Sequence, residues 1–234
     1  MIEEISPRDG MWEGDRQEYF EIAASGLECV RKALQAAGRD SVERILDFGC
    51  GHGRVMRALR AEFPGAELTA CDLDEDGVRF CMERFGAMGV VSRPEIPLIS
   101  LPGSYDAIWC GSVLTHLATP RWKQLLDRFA EWLAPGGVAV FTTHGQSTAD
   151  TLRARHWTYG LADAEIDAVL ARFDHAGFGY IEYPGQAGYG FSLCVPAWVQ
   201  GFLESFDTLE LVMFEDKGWT GHQDVFAVKR CRPT

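Results

Sequence analysis

The residues of this chain best suited to chemistry fall into two groups. One is the loop Gly49-Cys50-Gly51-His52-Gly53, which directly follows the apolar run Ile45-Leu46-Asp47-Phe48. Glycines at this spacing let a backbone turn sharply and bring its N–H groups against a ligand without Cβ clashes. Asp72 ends the next apolar run, where an acidic side chain of a nucleotide-binding α/β unit accepts hydrogen bonds from ribose hydroxyls. Asp74, just ahead of the following helix, suits an N-cap instead. The other group is the histidine pair His116 and His144, each placed just after a strand pattern. There an imidazole can act as a general base, or it can cap a helix and brace its neighbours.

The elements that must position these groups alternate along the chain. Apolar residues at helical spacing (Phe20, Ala23, Ala24, Leu27, Val30, Leu34) predict a helix over 17–37. A strand at Arg44–Phe48, a helix at Arg54–Glu62 stopped by Pro64-Gly65, and a strand at Glu67–Cys71 follow. Next come a helix near Asp76–Phe85, a short strand at Val90-Val91, a proline-containing loop and a strand at Ala107–Cys110. Pro120 opens a helix to Leu133, Pro135-Gly136-Gly137 makes a turn, and Val138–Thr143 is a β-branched and aromatic strand. Strands and helices alternating at these lengths specify a parallel sheet covered on both faces. Thr208–Phe214 and Val225–Val228 add an antiparallel pair. The expected architecture is therefore α/β: a Rossmann-like, seven-stranded, mostly parallel sheet with a C-terminal antiparallel hairpin and helices on both faces. Residues 145–207 are in excess of that plan; they contain helices near Asp163–Phe173 and Pro196–Phe206 and an aromatic, glycine-rich stretch, Gly177–Phe191.

The glycine spacing disfavours a dinucleotide, because the third glycine arrives one residue early and Arg54 stands where the later glycine would fall. Instead the chain resembles the class I S-adenosylmethionine-dependent methyltransferase family. Ile45-Leu46-Asp47-Phe48-Gly49-Cys50-Gly51-His52-Gly53 is similar to its first motif and Ala70-Cys71-Asp72-Leu73-Asp74 to its second. Tyr105 through Leu117 resembles its fourth-strand segment, and Leu133-Ala134-Pro135-Gly136-Gly137 its turn into strand five. The resemblance implies that Asp47, Gly49, Cys50 and Gly51 border the methionine part of S-adenosylmethionine. It likewise implies that Asp72 binds ribose, that Leu73 covers adenine, and that Gly111 and Ser112 lie near the methionyl end. The family often places an acidic residue after strand three for the adenine amino group; here the stretch is Val90-Val91-Ser92-Arg93-Pro94-Glu95-Ile96, with Ser92 or Glu95 as substitutes. The product would be S-adenosylhomocysteine.

Composition narrows the partners. The chain is 47% hydrophobic and 24% charged, as a globular protein is, and no apolar run reaches the roughly 18–20 residues of a membrane span. Its net charge of -12 works against a nucleic-acid backbone. Arg54, Arg57 and Arg60 share a helix face and read as solvated surface rather than a phosphate site. Seven cysteines without disulfide-like spacing read as reduced thiols, and Met1-Ile2-Glu3-Glu4-Ile5 lacks the features of a secretory signal, so a cytoplasmic location is expected. No metal is expected, since His116 and His144 belong to no ligand constellation and the carboxylates near strand four form no acidic cluster.

Methyl transfer from a sulfonium needs alignment and dryness above all, and a base chiefly when the acceptor is a hydroxyl. His116 and His144 are the catalytic candidates. Tyr189, in Gly188-Tyr189-Gly190-Phe191-Ser192, belongs either to a core strand or to an aromatic wall facing substrate. His222 and Asp224, in Gly218-Trp219-Thr220-Gly221-His222-Gln223-Asp224, belong either to a hairpin turn with a packing tryptophan or to a substrate-facing loop. Met11, Trp12 and Tyr19 form either a lid or a hydrophobic anchor. The expected organisation is a single unit over 1–234: an N-terminal helical lid (1–40), a cofactor core (41–144), a substrate-side insertion (145–207) and a hairpin (208–234). The glycine-loop and histidine motifs also resemble a bacterial methyltransferase group associated with sugar and polysaccharide assembly, which implies O-methylation of a small-molecule or glycan hydroxyl. The competing readings are a non-catalytic S-adenosylmethionine-binding module, tested by turnover, and a nicotinamide-dependent oxidoreductase, tested by cofactor binding.

Overall fold

The computed structural model describes residues 2–231. Strands β1 (Arg44–Phe48), β2 (Glu67–Asp72), β3 (Met88–Val91), β4 (Tyr105–Cys110) and β5 (Leu133–Thr143) pair in parallel, and two later strands extend the sheet antiparallel. With β6 (Phe178–Glu182), β7 (Gly190–Cys194), β8 (Leu209–Trp219) and β9 (Gln223–Arg230) numbered in chain order, the seven-stranded sheet runs β3-β2-β1-β4-β5-β9-β8. This is the Rossmann-like architecture expected, with its terminal hairpin in place.

The sheet is buried on both faces because its strands are apolar on both faces. Ile45, Ala107, Trp109, Val138 and Val140 meet α1 (Arg16–Ala36), α2 (Met56–Glu62) and α3 (Glu75–Phe85). Leu46, Phe48, Ile108, Cys110 and Phe141 point the other way, against α4 (Thr119–Trp132) and, with α5 (Gln146–Arg153) and α6 (Asp163–Ala176) intervening in the chain, α7 (Pro196–Leu203). Since β2 and β4 flank β1, the connections leave β1 in opposite directions, and the carboxyl ends of β1 and β4 open the crevice where such sheets take ligands.

Residues between β5 and β8 hold a second small core. Ala149 and Leu152 of α5, Ile166, Val169 and Phe173 of α6, and Phe191 and Leu193 of β7 are buried together. The glycine-rich stretch left without an element in the sequence reading is the antiparallel β6–β7 hairpin, a separate two-stranded sheet. It crosses the carboxyl ends of the main sheet: Cys194 N–H donates to the His144 carbonyl at 2.9 Å, and Ser192 Oγ to the Leu114 carbonyl at 3.0 Å.

Other boundaries moved for local reasons. The Pro135-Gly136-Gly137 turn lies inside β5 as an irregularity, since Tyr105 pairs with Leu133 while Ala107 pairs with Val138. Strand β8 runs on to Trp219, whose indole is buried and edge-on to Trp109 at 5.3 Å. The arginine helix face is not a solvated surface throughout. Arg57 is only 1% exposed and donates to the Ile2 and Glu4 carbonyls at 3.1 and 2.9 Å, over the Tyr19 ring. A guanidinium offers five donors, so carbonyls can replace its water and let it clamp the N-terminal segment. Six cysteines are buried thiols and Cys231 is exposed. Among the described residues no helix is long and apolar enough to cross a membrane.

Candidate active site

The glycine loop leaves the end of β1 pinned to β2: Gly49 N–H donates to the Cys71 carbonyl at 2.8 Å. Gly51 adopts φ +49°, a left-handed conformation that favours glycine, and space for a ligand lies open where its Cβ would be. Its N–H donates to Asp72 Oδ2 at 2.7 Å, and Asp72 Oδ1 accepts from Asp74 N–H at 2.9 Å. One lone pair on each oxygen thus sets the carboxylate's orientation, and the second is left for a ligand hydroxyl. Asp74 is the N-cap of α3, accepting from Asp76 N–H. Leu73, beside Asp72, is 58% exposed, an apolar face turned outward at the strand end. His52 is buried and its Nε2 lies 3.1 Å from Asp76 Oδ2, tying the loop to α3.

Asp47 occupies the face of β1 that carries Ile45, inside the α1–α3 core. It is 2% exposed and its Oδ2 has no hydrogen-bond partner. Burial, with the nearby Asp72 charge adding to it, pushes its carboxyl up to about 8 against a lowering contact from the Met56 backbone. A buried acid with a free oxygen favours a cation or donor brought in by a ligand.

After β4 the chain turns through Gly111 and Ser112, the latter at φ +58°. Three hydrogen bonds hold this strained residue in a closed ring. Ser112 N–H donates to Thr142 Oγ1 at 2.7 Å, Thr142 Oγ1 to Gln223 Oε1 at 2.5 Å, and Gln223 Nε2 to Ser112 Oγ at 3.1 Å. Thr142 and Gln223 are therefore site residues that sequence reasoning missed. Gly77 is another: a Cβ there would strike the Gly51 carbonyl, so glycine is what lets α3 back the glycine loop. Only the position of Gln223 in the polar C-terminal segment signalled any of these.

The histidines converge on the same edge. Leu114–His116 forms a 3-10 turn whose Leu114 carbonyl accepts from Trp122 Nε1 and Ser192 Oγ, both at 3.0 Å. His116 Nδ1 lies 2.8 Å from the Gly190 carbonyl. A carbonyl only accepts, so Nδ1 carries the hydrogen and Nε2 of the neutral ring keeps a lone pair. Burial lowers the His116 pKa, partly offset by that carbonyl. Tyr189 is 42% exposed and stacks on His116 at 4.6 Å, so this tyrosine belongs to a wall and the residues after it to the strand.

His144 is 3% exposed, stacked on Phe191 at 4.7 Å, with Nδ1 unpartnered. Burial holds it well below the usual histidine range, with His116 and His222 adding smaller lowering effects. His222 Nε2 meets Tyr159 Oη at 2.9 Å, and burial lowers its pKa too. Asp224 is buried, and its Oδ1 accepts from Lys217 N–H at 2.9 Å within the β8–β9 hairpin. So Trp219 packs, while His222 bonds Tyr159 and Gln223 bonds Ser112 and Thr142. Tyr19 is 2% exposed, bonded to Asp9 at 2.5 Å and edge-on to Trp12, an anchor for the N-terminal segment; Met11 is exposed.

Two surface depressions, of about 480 Å³ among residues 3–16 and about 560 Å³ beside α5 and Lys217, are lined by neither His116, His144, Asp47, Asp72 nor Ser112. Bonded side chains, rather than hollow volume, mark the site. Among the described residues no cluster of three or more His, Cys, Asp or Glu is placed to hold a metal ion.

The sequence-family model described as "Methyltransferase domain" matches residues 46–139. The chain is 30% identical to a fatty-acid O-methyltransferase of Mycolicibacterium smegmatis, over 56% of this chain and 46% of that protein. It is 27% identical to a ubiquinone biosynthesis O-methyltransferase of Bordetella pertussis, over 61% and 59% respectively. The chain thus spans about half the length of these curated relatives. Its fold is similar to that of an S-adenosylmethionine-dependent methyltransferase from Clostridium acetobutylicum, with TM-score 0.60 at 13% identity, covering 91% of this chain and 92% of the other. In its strand order, its glycine loop and the methyltransferase-domain match over residues 46–139, the chain is similar to the class I S-adenosylmethionine-dependent methyltransferases.

Proposed function

We propose that the chain catalyses methyl transfer from S-adenosylmethionine to an acceptor hydroxyl, with His116 as general base. The residues fit the cofactor on two observations: the unpartnered, buried Asp47 Oδ2 and the outward apolar face of Leu73 beside the preset Asp72 carboxylate. Asp47, Gly49, Cys50 and Gly51 would hold its methionine part, Asp72 its ribose and Leu73 its adenine, with Gly111 and Ser112 at the methionyl end. When bound, the cofactor supplies a methyl group on a sulfonium: the acceptor oxygen takes the methyl, its proton passes to His116, and the broken bond's electron pair leaves with S-adenosylhomocysteine.

The observation that carries this reading is the His116 tautomer. The Gly190 carbonyl occupies Nδ1–H and leaves Nε2 as a base on the loop that also bears Ser112. His144 is more deeply buried than His116 and stacks on Phe191, so it serves as packing and a neighbour to substrate. The O-methyltransferase relatives support transfer to oxygen. In this reading residues 145–207 and the β8–β9 hairpin cover the acceptor, residues 1–40 fasten the cofactor loop, and the enzyme acts on a small molecule in the cytoplasm. Tyr189 and His222 are its substrate contacts, and Asp224 braces the hairpin.

The test is label transfer from methyl-labelled S-adenosylmethionine to a panel of hydroxyl acceptors. His116→Gln is expected to lower turnover about 100-fold or more, in the range of lost general-base catalysis, with S-adenosylhomocysteine affinity within twofold. Because burial lowers the His116 pKa, the base form dominates above it, and the acid limb of the rate profile should lie below pH 6.5. Tight cofactor binding with no transfer to any acceptor would favour a binding module instead.

A further inference from the structure

We propose that the acceptor site recognises a planar, uncharged aromatic ring bearing a hydroxyl group, seated against Tyr189; the inference rests on the reading of His116 as base. Flat faces line this edge. The Tyr189 ring is within 21° of parallel to His116, the Tyr159 ring within 13° of parallel to His222, and Trp157, 5.9 Å from Tyr159, is 60% exposed. Aromatic walls of this kind gain most from a flat partner in offset contact.

Charge argues against an acid. Burial holds the imidazoles of His116, His144 and His222 neutral near pH 7, and it raises the phenols of Tyr159, Tyr183 and Tyr189, so they are neutral too. None of these residues carries a positive charge; the Arg121 guanidinium beside Gly188 is engaged by the Pro94 carbonyl, and the Glu182 carboxylate, which accepts from Gly188 N–H at 2.7 Å, would repel an anion. A carboxylate or phosphate seated against these neutral rings would be desolvated at a cost that an uncharged ring avoids.

Hydrogen-bond capacity argues against a polyol. Tyr159 Oη and His222 Nε2 satisfy each other, Ser192 Oγ is spent on Leu114, Gln223 on Ser112, and His116 Nδ1 on Gly190. His116 Nε2 remains for a guest, whereas the unpartnered His144 Nδ1, Thr143 Oγ1 and Thr148 Oγ1 are sealed inside the fold. A sugar ring would bury several hydroxyls unpaired, a mismatch worth orders of magnitude in selectivity. A ring with one or two hydroxyls matches.

Acidity points the same way. A phenol ionises near 10, whereas an alcohol lies nearer the 15.7 of water. Against an imidazole held below its usual 6.5, the proton transfer is then uphill by more than about three orders of magnitude for a phenol and more than about nine for an alcohol. The phenol proton passes to Nε2 as its oxygen gains the methyl group, so the transfer balances as above.

The experiment is calorimetry of the S-adenosylhomocysteine-loaded protein with 2-methoxyphenol, 2-naphthol, octanoate and methyl glucoside. At least one phenol should bind 10-fold or more tighter than octanoate and the glucoside. Tyr189→Ala should weaken it about 10-fold, and Tyr189→Phe should keep it within twofold, each variant first confirmed to bind S-adenosylhomocysteine normally. Failure of both phenols to bind, equal or tighter binding of octanoate or glucoside, or an unchanged affinity in Tyr189→Ala overturns the proposal. Binding at Tyr189 without label transfer would leave ring recognition standing and defeat the base assignment. Label transfer to the glucoside but to neither phenol would do the reverse, and transfer to octanoate, which has no proton to give up, would defeat both.

Discussion

On the proposed reading, in which Asp47 holds the cofactor, the fold and the cofactor site make opposing demands on this carboxyl, and their opposition has a measurable pH signature. Its carboxyl is raised from 3.8 to about 8 by burial and by Asp72. The unfolded chain ionises it near 3.8, while the folded chain keeps it protonated until near 8. Over that interval the folded state binds more protons, so stability is fully present below the lower value and is lost as pH rises through the higher one. The slope is about 1.4 kcal/mol per pH unit, and the whole interval amounts to roughly 6 kcal/mol as an upper bound. Asn has nearly the same shape and cannot ionise. Urea unfolding of wild type and Asp47→Asn at pH 5 and pH 8.5 isolates this group, because every other titration cancels between the two proteins. We expect Asp47→Asn to gain about 2–5 kcal/mol relative to wild type between pH 5 and 8.5, while its S-adenosylmethionine affinity falls by about 10-fold, since the carboxylate that destabilises the empty fold is the one that attracts the cofactor's cationic end. A difference between the two proteins that is equal at both pH values refutes the reasoning.

Two further substitutions test the supports of the site. Gly77→Val should displace the glycine loop, because even a Cβ at 77 lies 2.7 Å from the Gly51 carbonyl carbon and 3.3 Å from His52 N; S-adenosylhomocysteine binding measured by calorimetry should weaken at least 10-fold, and wild-type affinity would count against the packing argument. Gln223→Leu opens the three-residue ring around Ser112 and leaves Thr142 without its acceptor, costing about 1–3 kcal/mol for the buried groups left unsatisfied. Its thermal midpoint should fall, and cofactor affinity should fall with it, whereas Gln223→Glu, which keeps the acceptor for Thr142, should recover part of the stability.

Much of this molecule was legible in one dimension because the relevant physics is local. An apolar run followed by Gly49-Cys50-Gly51-His52-Gly53, with Asp72 at the next strand end, fixes a strand-loop-helix-strand unit through backbone sterics and strand burial alone. The sheet and its hairpin followed from alternation and connection length. Tertiary structure decided what depends on residues far apart in the chain. The β6–β7 hairpin, short and glycine-rich, has no periodicity strong enough to read, yet its Gly190 carbonyl sets the His116 tautomer across 74 positions. Arg57 looked like surface because charge is costly to bury, until distant carbonyls of the N-terminal segment satisfied it. Thr142 and Gln223 lie 81 positions apart and act as site residues only where β5 and β9 pair. Local sterics write the cofactor loop into the sequence, whereas the acceptor edge is assembled from side chains whose roles arise only when burial removes water and leaves them one another as partners.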